Sequence, residues 1–197
     1  MARAKKPRAP RPHVHRSTPI EAPADRPLRI VVIADTHSNP HADSLELVAA
    51  QEPDAILHAG DIGNLEVLDP FEAVAPVHVV RGNIDGRADG LADSIDLPIH
   101  QDGDVLVTFL MMHIAVYGPK LRRDAIALAH EHGASFVVCG HSHVPFIGLD
   151  RGLEMFNPGS IGPRRFQLPI TFGVLEVSPG SIRARHVSCE TGRDWSP

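Results

Sequence analysis

Cysteine is scarce: only Cys139 and Cys189 occur in 197 residues, and they form no Cys-x-x-Cys pair. That argues against a disulfide framework and makes a reducing, cytoplasmic setting the simpler expectation. Long apolar runs are missing too. None is long enough to span a bilayer, and the N-terminus lacks the apolar stretch of a secretory signal. An excess of positive charge is absent from the bulk of the chain. Residues 1–27 carry seven basic and two acidic groups (+5), so with a whole-chain charge of −5 residues 28–197 carry −10. A body this acidic does not grip nucleic acid through its folded surface, and it suits a site that concentrates divalent cations. What is present is an ordinary apolar fraction, enough chain for a single domain, and 13 histidines.

The chain divides at residue 28. Residues 1–27 hold prolines at 7, 10, 12, 19, 23 and 27 and little apolar content, which reads as a disordered, basic, Pro-rich tail. Such a tail is ordinarily a solubilising extension; contact with nucleic acid or an acidic partner is the alternative. Residues 28–197 read as one domain. Leu28–Ala34, Ala55–Ala59, Val77–Val80 and Phe136–Cys139 are short β-branched or apolar runs expected as buried strands. Asp102–Gly103 is a hairpin signal between Leu97–His100 and Val105–Met112. Helical spacing is expected over Asp43–Gln51, after a capping Asn64, and between Pro119 and Gly133. Residues 144–187 read as hairpins turning near Asp150–Gly152 and Pro179–Gly180. Strand–helix alternation followed by hairpins points to an α/β protein with a mixed, partly antiparallel sheet system.

Five of the expected strands end in polar clusters: Asp35-Thr36-His37, Gly60-Asp61, Gly82-Asn83-Ile84-Asp85, His113, and Gly140-His141-Ser142-His143. Open α/β sheets bind ligands beyond the carboxyl ends of their strands, so these clusters are expected to share one crevice. Read as extended chain, His141 and His143 point the same way, toward one spot. Asp35, His37, Asp61, Asn83, His113, His141 and His143 make seven oxygen and nitrogen donors. One catalytic ion takes three or four protein ligands, so seven donors with a shared carboxylate suit two ions, Asp61 being the candidate bridge. Imidazole-rich donors without thiolate favour Mn, Fe, Co, Ni or Zn over Mg or Ca. An Asp-x-His triplet or a Gly-Asp pair alone carries little weight, since either is ordinarily a turn, and His113 alone would read as a core histidine. The conjunction of five clusters at strand ends carries the inference.

In this order, DTH (35–37), GD (60–61), GNID (82–85), His113 and GHSH (140–143) resemble the calcineurin-like metallophosphoesterases. LHAGD at 57–61 and NPGS at 157–160 with Pro163-Arg164 resemble their small prokaryotic phosphodiesterase branch. The resemblance covers roughly residues 28–187. It implies a four-layer α/β/β/α sandwich of two mixed β-sheets flanked by helices, with a dinuclear site at the rim. It also implies a metal-dependent phosphodiesterase in which hydroxide, its pKa lowered by the ions, attacks phosphorus in line. One ion would take Asp35, His37, Asp61 and His143, the other Asp61, Asn83, His113 and His141. Asp61, Asn83 and His113 would form the catalytic centre. Manganese is the leading metal, with Ni, Fe, Co or Zn as alternatives. The substrate would be a phosphoester small molecule or a nucleotide-type compound, with no membrane partner; a homodimer is compatible with the family.

Two departures stand out. Ile84 occupies a position where many family members carry a histidine that protonates the leaving oxygen or holds phosphate. General acid help is worth roughly 10²–10⁴-fold, so slow turnover or a preference for good leaving groups is expected. Asp85, which supports that histidine elsewhere, is left with a structural part. His113-Ile114-Ala115 stands where the family often reads His-Gly-His, which puts metal affinity at the second ion in question. Among other residues, His58 is placed to orient a ligand from behind, Arg164 or its neighbour Arg165 to meet phosphate, and Asn157 to hold the site loop. His41 reads as a solvated loop histidine, with reach to a substrate as the alternative; Cys139 reads as a small core residue, and His130 and His132 receive no chemistry. The competing reading is a non-catalytic scaffold, as in a retromer subunit that resembles this family and has lost ligands.

Overall fold

The computed structural model describes residues 12–196 except Arg87 and Asp89. The strands are β1 (His15–Ser17), β2 (Ile20–Glu21), β3 (Leu28–Ile33), β4 (Ala55–His58), β5 (Val77–Val79), β6 (Ser94–Gln101), β7 (Asp104–Met112), β8 (Val116–Tyr117), β9 (Lys120–Leu121), β10 (Phe136–Val138), β11 (Phe146–Asp150), β12 (Leu153–Asn157), β13 (Thr171–Ser178), β14 (Ser181–Ser188) and β15 (Asp194–Trp195). The helices are α1 (Ser44–Ala49), α2 (Asp69–Glu72) and α3 (Arg123–Glu131). One sheet runs β1-β6-β7-β10-β12-β11, with β2 also on β6; the other runs β15-β14-β13-β3-β4-β5. Both mix parallel and antiparallel pairs: β3 is parallel to β4 and antiparallel to β13, and β10 is parallel to β7.

Alternation along β3 shows how the layers stack. Ile30, Val32 and Ala34 enter a core that also holds Leu97, Phe109, Met111, Phe136 and Phe156 from the facing sheet. Val31 and Ile33 face the other way, packing with Val48 of α1 and Phe71 of α2. A strand buried on both faces must be apolar throughout, which is why LRIVVI shows no period-2 pattern. On the far side, Leu110, Val137 and Met155 pack against Ala125 and Ala129 of α3. The order α/β/β/α is therefore the expected four-layer sandwich. Asp102 (φ 52) and Gly103 (φ 90) form the turn joining β6 to β7, the doubly left-handed geometry of a tight hairpin. Asn64 caps the turn Leu65–Leu68, its side chain accepting from the Glu66 amide.

Two expectations need correction. Residues 12–27 are not a loose tail: β1 pairs parallel with β6, His15 opposite Ser94 and Ser17 opposite Asp96, and β2 pairs further along it. Backbone pairing at a sheet edge, polar side-chain contacts and a few apolar anchors (Ile20 in the core, Val14 and Ala22 against it) hold the arm, too few and too widely spaced among prolines to announce a strand. Residues 1–11, with the rest of the expected tail, lie outside the described residues. Pro119 does not open a helix; it sits in the turn between β8 and β9, and α3 begins at Arg123 behind an extended Arg122. Among the described residues no helix is long and apolar enough to cross a membrane.

Candidate metal centre

The loops that leave β3 and β4 are zipped together. The amides of Asp35, His37 and Ser38 donate to the carbonyls of Gly60, Asp61 and Ile62 at 2.8–3.0 Å. Asp85 ties the second of these loops to the one after β5: its carboxylate accepts from the amides of Ile62 (3.1 and 3.2 Å), Gly63 (3.0 Å) and Gly82 (2.8 Å). Gly82 is there because the two loops nearly touch: a Cβ on it would lie 2.0 Å from the Asp61 nitrogen. Arg81 braces the same loop from behind, its guanidinium donating to the carbonyls of Asp85, Ala88 and Leu91. The loop carrying His141 is held by Asn157, whose Nδ2 donates to the Gly140 carbonyl at 2.7 Å and to Ser142 Oγ at 3.2 Å.

These loops bring the expected donors into two neighbouring sets, Asp35 with His37 and His143, and Asp61 with His113 and His141; within each set the donor atoms lie within 4.8 Å of one another. Asp61 stands between them, with Oδ2 3.9 Å from His37 Nε2 and Oδ1 3.3 Å from His113 Nε2. Asn83 joins the second set, its Oδ1 3.1 Å from His113 Nε2. His141 and His143 are not extended, contrary to the period-2 reading. Both have left-handed backbones (φ 68 and 58), so the two rings part, one to each set. Asp35, His37 and Asp61 share that left-handed conformation (φ 55, 47 and 57). Non-glycine residues there cost about 1–3 kcal/mol each, strain that clusters at functional sites.

The donors fit a cation better than they fit one another. His113 Nδ1 donates to the Ala59 carbonyl at 2.7 Å, and Nε2 faces the oxygens of Asn83 and Asp61. Burial acts to lower His113, but the hydrogen bond to Asp61 and the charges of Asp35 and Asp61 raise it, so without metal Nε2–H donates toward these oxygens and a cation would take that proton's place. Asp35 Oδ1 is buried with no hydrogen-bond partner, 3.4 Å from His143 Nε2. Burial is the main cause that drives the Asp35 carboxyl up to about 7, with the charge of Asp61 adding to it. For Asp61 burial alone would act upward, but the hydrogen bond and charge of His113 bring it down to about 2. Burial lowers His37, His141 and His143, the last to about 4, with Arg165 pushing His143 the same way. These rings are therefore neutral near pH 7, the form that ligates a metal.

The residues expected behind the ligands fall as follows. His58 is buried and lowered to about 4 by that burial. Its Nδ1 accepts from the Gly60 amide, so Nε2–H donates to Thr36 Oγ1, which in turn donates to the Ile62 carbonyl. Thr36, unremarked in the sequence, is thus the pin between two ligand loops; the signal was a hydroxyl set between two ligands. Arg164 is turned away, its guanidinium bound to the Glu190 carboxylate and the Leu168 carbonyl. Arg165 is the arginine brought to the centre, with Nη2 3.2 Å from His37 Nε2. Ile84 is half-exposed at the rim and donates its amide to Asp61 Oδ1 at 3.1 Å. Ala115 is fully buried against α3, so that position offers the centre nothing, whereas Ile114 lines the grooves beside it.

Residues 28–180 match the calcineurin-like phosphoesterase superfamily domain. A probable metallophosphoesterase of Methanothermobacter thermautotrophicus is 33% identical over 135 residues, 66% of this chain and 76% of that one. Two solved structures share the fold. Vacuolar protein sorting 29 from Cryptosporidium parvum has a TM-score of 0.69 at 14% identity, covering 86% of this chain and 95% of its own. A structure described as a novel archaeal phosphodiesterase has a TM-score of 0.57 at 20% identity, covering 81% and 99%. The chain belongs to the calcineurin-like phosphoesterase superfamily.

Proposed function

We propose that this calcineurin-like phosphoesterase hydrolyses phosphodiesters at a centre for two divalent transition-metal ions, manganese being the leading choice. One observation carries the reading: the Asp61 carboxylate stands between two donor sets, one oxygen toward each. Asp35, His37 and His143 would hold one ion, Asn83, His113 and His141 the other, and Asp61 both. When bound, the pair supplies Lewis acidity: it lowers the pKa of water and offsets the charge of the phosphoryl oxygens.

The chain's own residues do the rest. Arg165, whose guanidinium already reaches His37, is placed to clamp a phosphoryl oxygen, which makes it the better candidate than Arg164 for the phosphate contact. The Asn83 side chain, exposed beside the other donor set, is placed to orient the substrate. Two grooves flank the centre, as a diester with two substituents requires. One of about 320 Å³ is lined by His13, Arg81, Asn83, His113 and Ile114. The other, about 610 Å³, is lined by His141, Ile114, Tyr117, Val144 and Phe146, and its apolar walls suit an aromatic leaving group. Ile84 can give no proton, so the leaving oxygen must depart unassisted by that position. Aryl esters are therefore better substrates than alkyl esters. Hydrolysis of bis(4-nitrophenyl) phosphate by Mn²⁺-loaded protein tests the reading; absence of metal-dependent hydrolysis defeats it.

A non-catalytic scaffold is the second reading. It is favoured by Ile84 and by Ile147 and Leu149, exposed on the edge strand β11. It predicts purified protein without bound metal.

A further inference from the structure

A second group of imidazole and carboxylate side chains meets where the N-terminal arm crosses the end of α3. His15 Nε2 lies 2.6 Å from Asp96 Oδ1, and His132 Nδ1 lies 3.6 Å from the same oxygen. The two rings are stacked, centroids 3.9 Å apart at 22°. One donor atom from each of the three residues lies within 4.8 Å of the others. The residues come from three separate elements: β1, β6 and the C-cap of α3.

The groups behind these donors are already fixed. Asp96 Oδ2 accepts from the Ser17 hydroxyl at 2.6 Å. His15 Nδ1 and His13 Nε2 each lie 2.8 Å from Ser94 Oγ. A hydroxyl carries one hydrogen, so one consistent arrangement has His15 Nδ1–H donate to Ser94, and Ser94 donate to His13. In that arrangement His15 Nε2 presents its lone pair to a cation shared with Asp96. Metal-ligating histidines are oriented in this way through their other ring nitrogen. Without metal, Ser94 donates to Nδ1 instead and His15 Nε2–H donates to Asp96 Oδ1 at 2.6 Å. Zinc bonds of about 2.0–2.1 Å in a tetrahedral site place neighbouring donors about 3.3 Å apart. The 2.6 and 3.6 Å separations straddle that value; His15 is held through Ser94, so it is the His132 ring, part-exposed at the helix end, that unstacks to turn its Nδ1 to the shared ion. Two histidines and one carboxylate, without thiolate, suit zinc and leave a position for water.

We propose that His15, Asp96 and His132 form a further metal site, distinct from the centre at Asp61, that takes Zn²⁺ and staples the N-terminal arm to the end of α3. The staple acts on a wall of the catalytic centre, because His13, two residues from His15, lines the groove beside Asn83 and His113. Arg16, next to the arm's ligand His15 and exposed, reports whether the arm is fastened.

The test uses full-length protein stripped with chelator, reloaded with Zn²⁺ and desalted. Metal per chain is measured by plasma mass spectrometry, and trypsin cleavage after Arg16 is followed by mass spectrometry with and without Zn²⁺. Wild type is expected to hold one equivalent more than His132→Ala or Asp96→Asn, and Zn²⁺ is expected to slow its cleavage at Arg16 at least fivefold. His132 lies on the surface of a helix end, so His132→Ala keeps the fold, and circular dichroism verifies this. Equal zinc content in His132→Ala and wild type overturns the proposal, as does a cleavage rate in wild type that Zn²⁺ does not change. Because hydrolysis at the Asp61 centre is not the readout, failure here is separate from failure of the phosphodiesterase reading.

Discussion

Replacing Asp35 with asparagine is expected to stabilise the metal-free protein while weakening its hold on metal. The Asp35 carboxylate is fully buried; one oxygen accepts only from the His141 amide at 3.0 Å and the other has no hydrogen-bond partner. Burial, with the charge of Asp61 assisting, raises its pKa from 3.8 to about 7. The sign follows from proton counts. Between those values the native state keeps a proton that the unfolded chain has released, so stability falls as pH rises and levels off above 7. At about 1.4 kcal/mol per pH unit, the gap corresponds to about 4 kcal/mol of destabilisation at pH 8. Asparagine keeps an acceptor for the His141 amide and can present an N–H toward His143. Asp35→Asn should therefore be more stable than wild type by on the order of 2–4 kcal/mol at pH 8 in chelator, the difference shrinking toward zero near pH 4. Urea midpoints at the two pH values measure it, with the slope m unchanged between variants. A variant no more stable at pH 8, or a difference that does not depend on pH, refutes the reasoning.

Other outcomes follow from named contacts. Asp85→Asn sets an amide against backbone N–H groups that now meet carboxylate; charged hydrogen bonds are worth about 1.5–3 kcal/mol each, so denaturant unfolding should show a loss of roughly 3 kcal/mol, and calorimetric titration weaker metal binding. Gly82→Ala drives a Cβ into the Asp61 backbone; its melting temperature and metal content should both fall, the overpacking costing about 1–3 kcal/mol. Arg165→Ala should raise KM for the diester about tenfold with a smaller effect on kcat, and Arg164→Ala should leave both near wild type; steady-state kinetics separates the two. Ile84→His should speed alkyl more than aryl diesters, with a gain of up to roughly 10²-fold if the new imidazole reaches the leaving oxygen.

The strands that build the platform were legible because burial on both faces writes itself into composition. Leu28–Ile33 could be little else, and Asp102-Gly103 announced its hairpin through the left-handed turn it needs. The candidate ligands were legible as residues at strand ends, whereas their arrangement was not. An extended reading sends His141 and His143 to one place; left-handed backbones at both positions send them to two, a choice made by the loops they pack against. The arm at residues 12–21 was invisible because its attachments are backbone pairing, polar contacts to β6 and the isolated apolar anchors Val14 and Ile20, which leave no apolar period. The choice between Arg164 and Arg165 was illegible for the same reason: two adjacent arginines differ only in direction, and Glu190, far along the chain, claims the first.

The central claim is that Asp61 joins two ions that carry out hydrolysis. Its most direct test is metal content and bis(4-nitrophenyl) phosphate hydrolysis, measured together on Mn²⁺-loaded protein with and without Asp61→Ala. On the His132→Ala background, two equivalents of metal per chain are expected, with metal-dependent turnover, and Asp61→Ala should lower the metal content and abolish the hydrolysis. Turnover and metal content unchanged by Asp61→Ala would contradict the account.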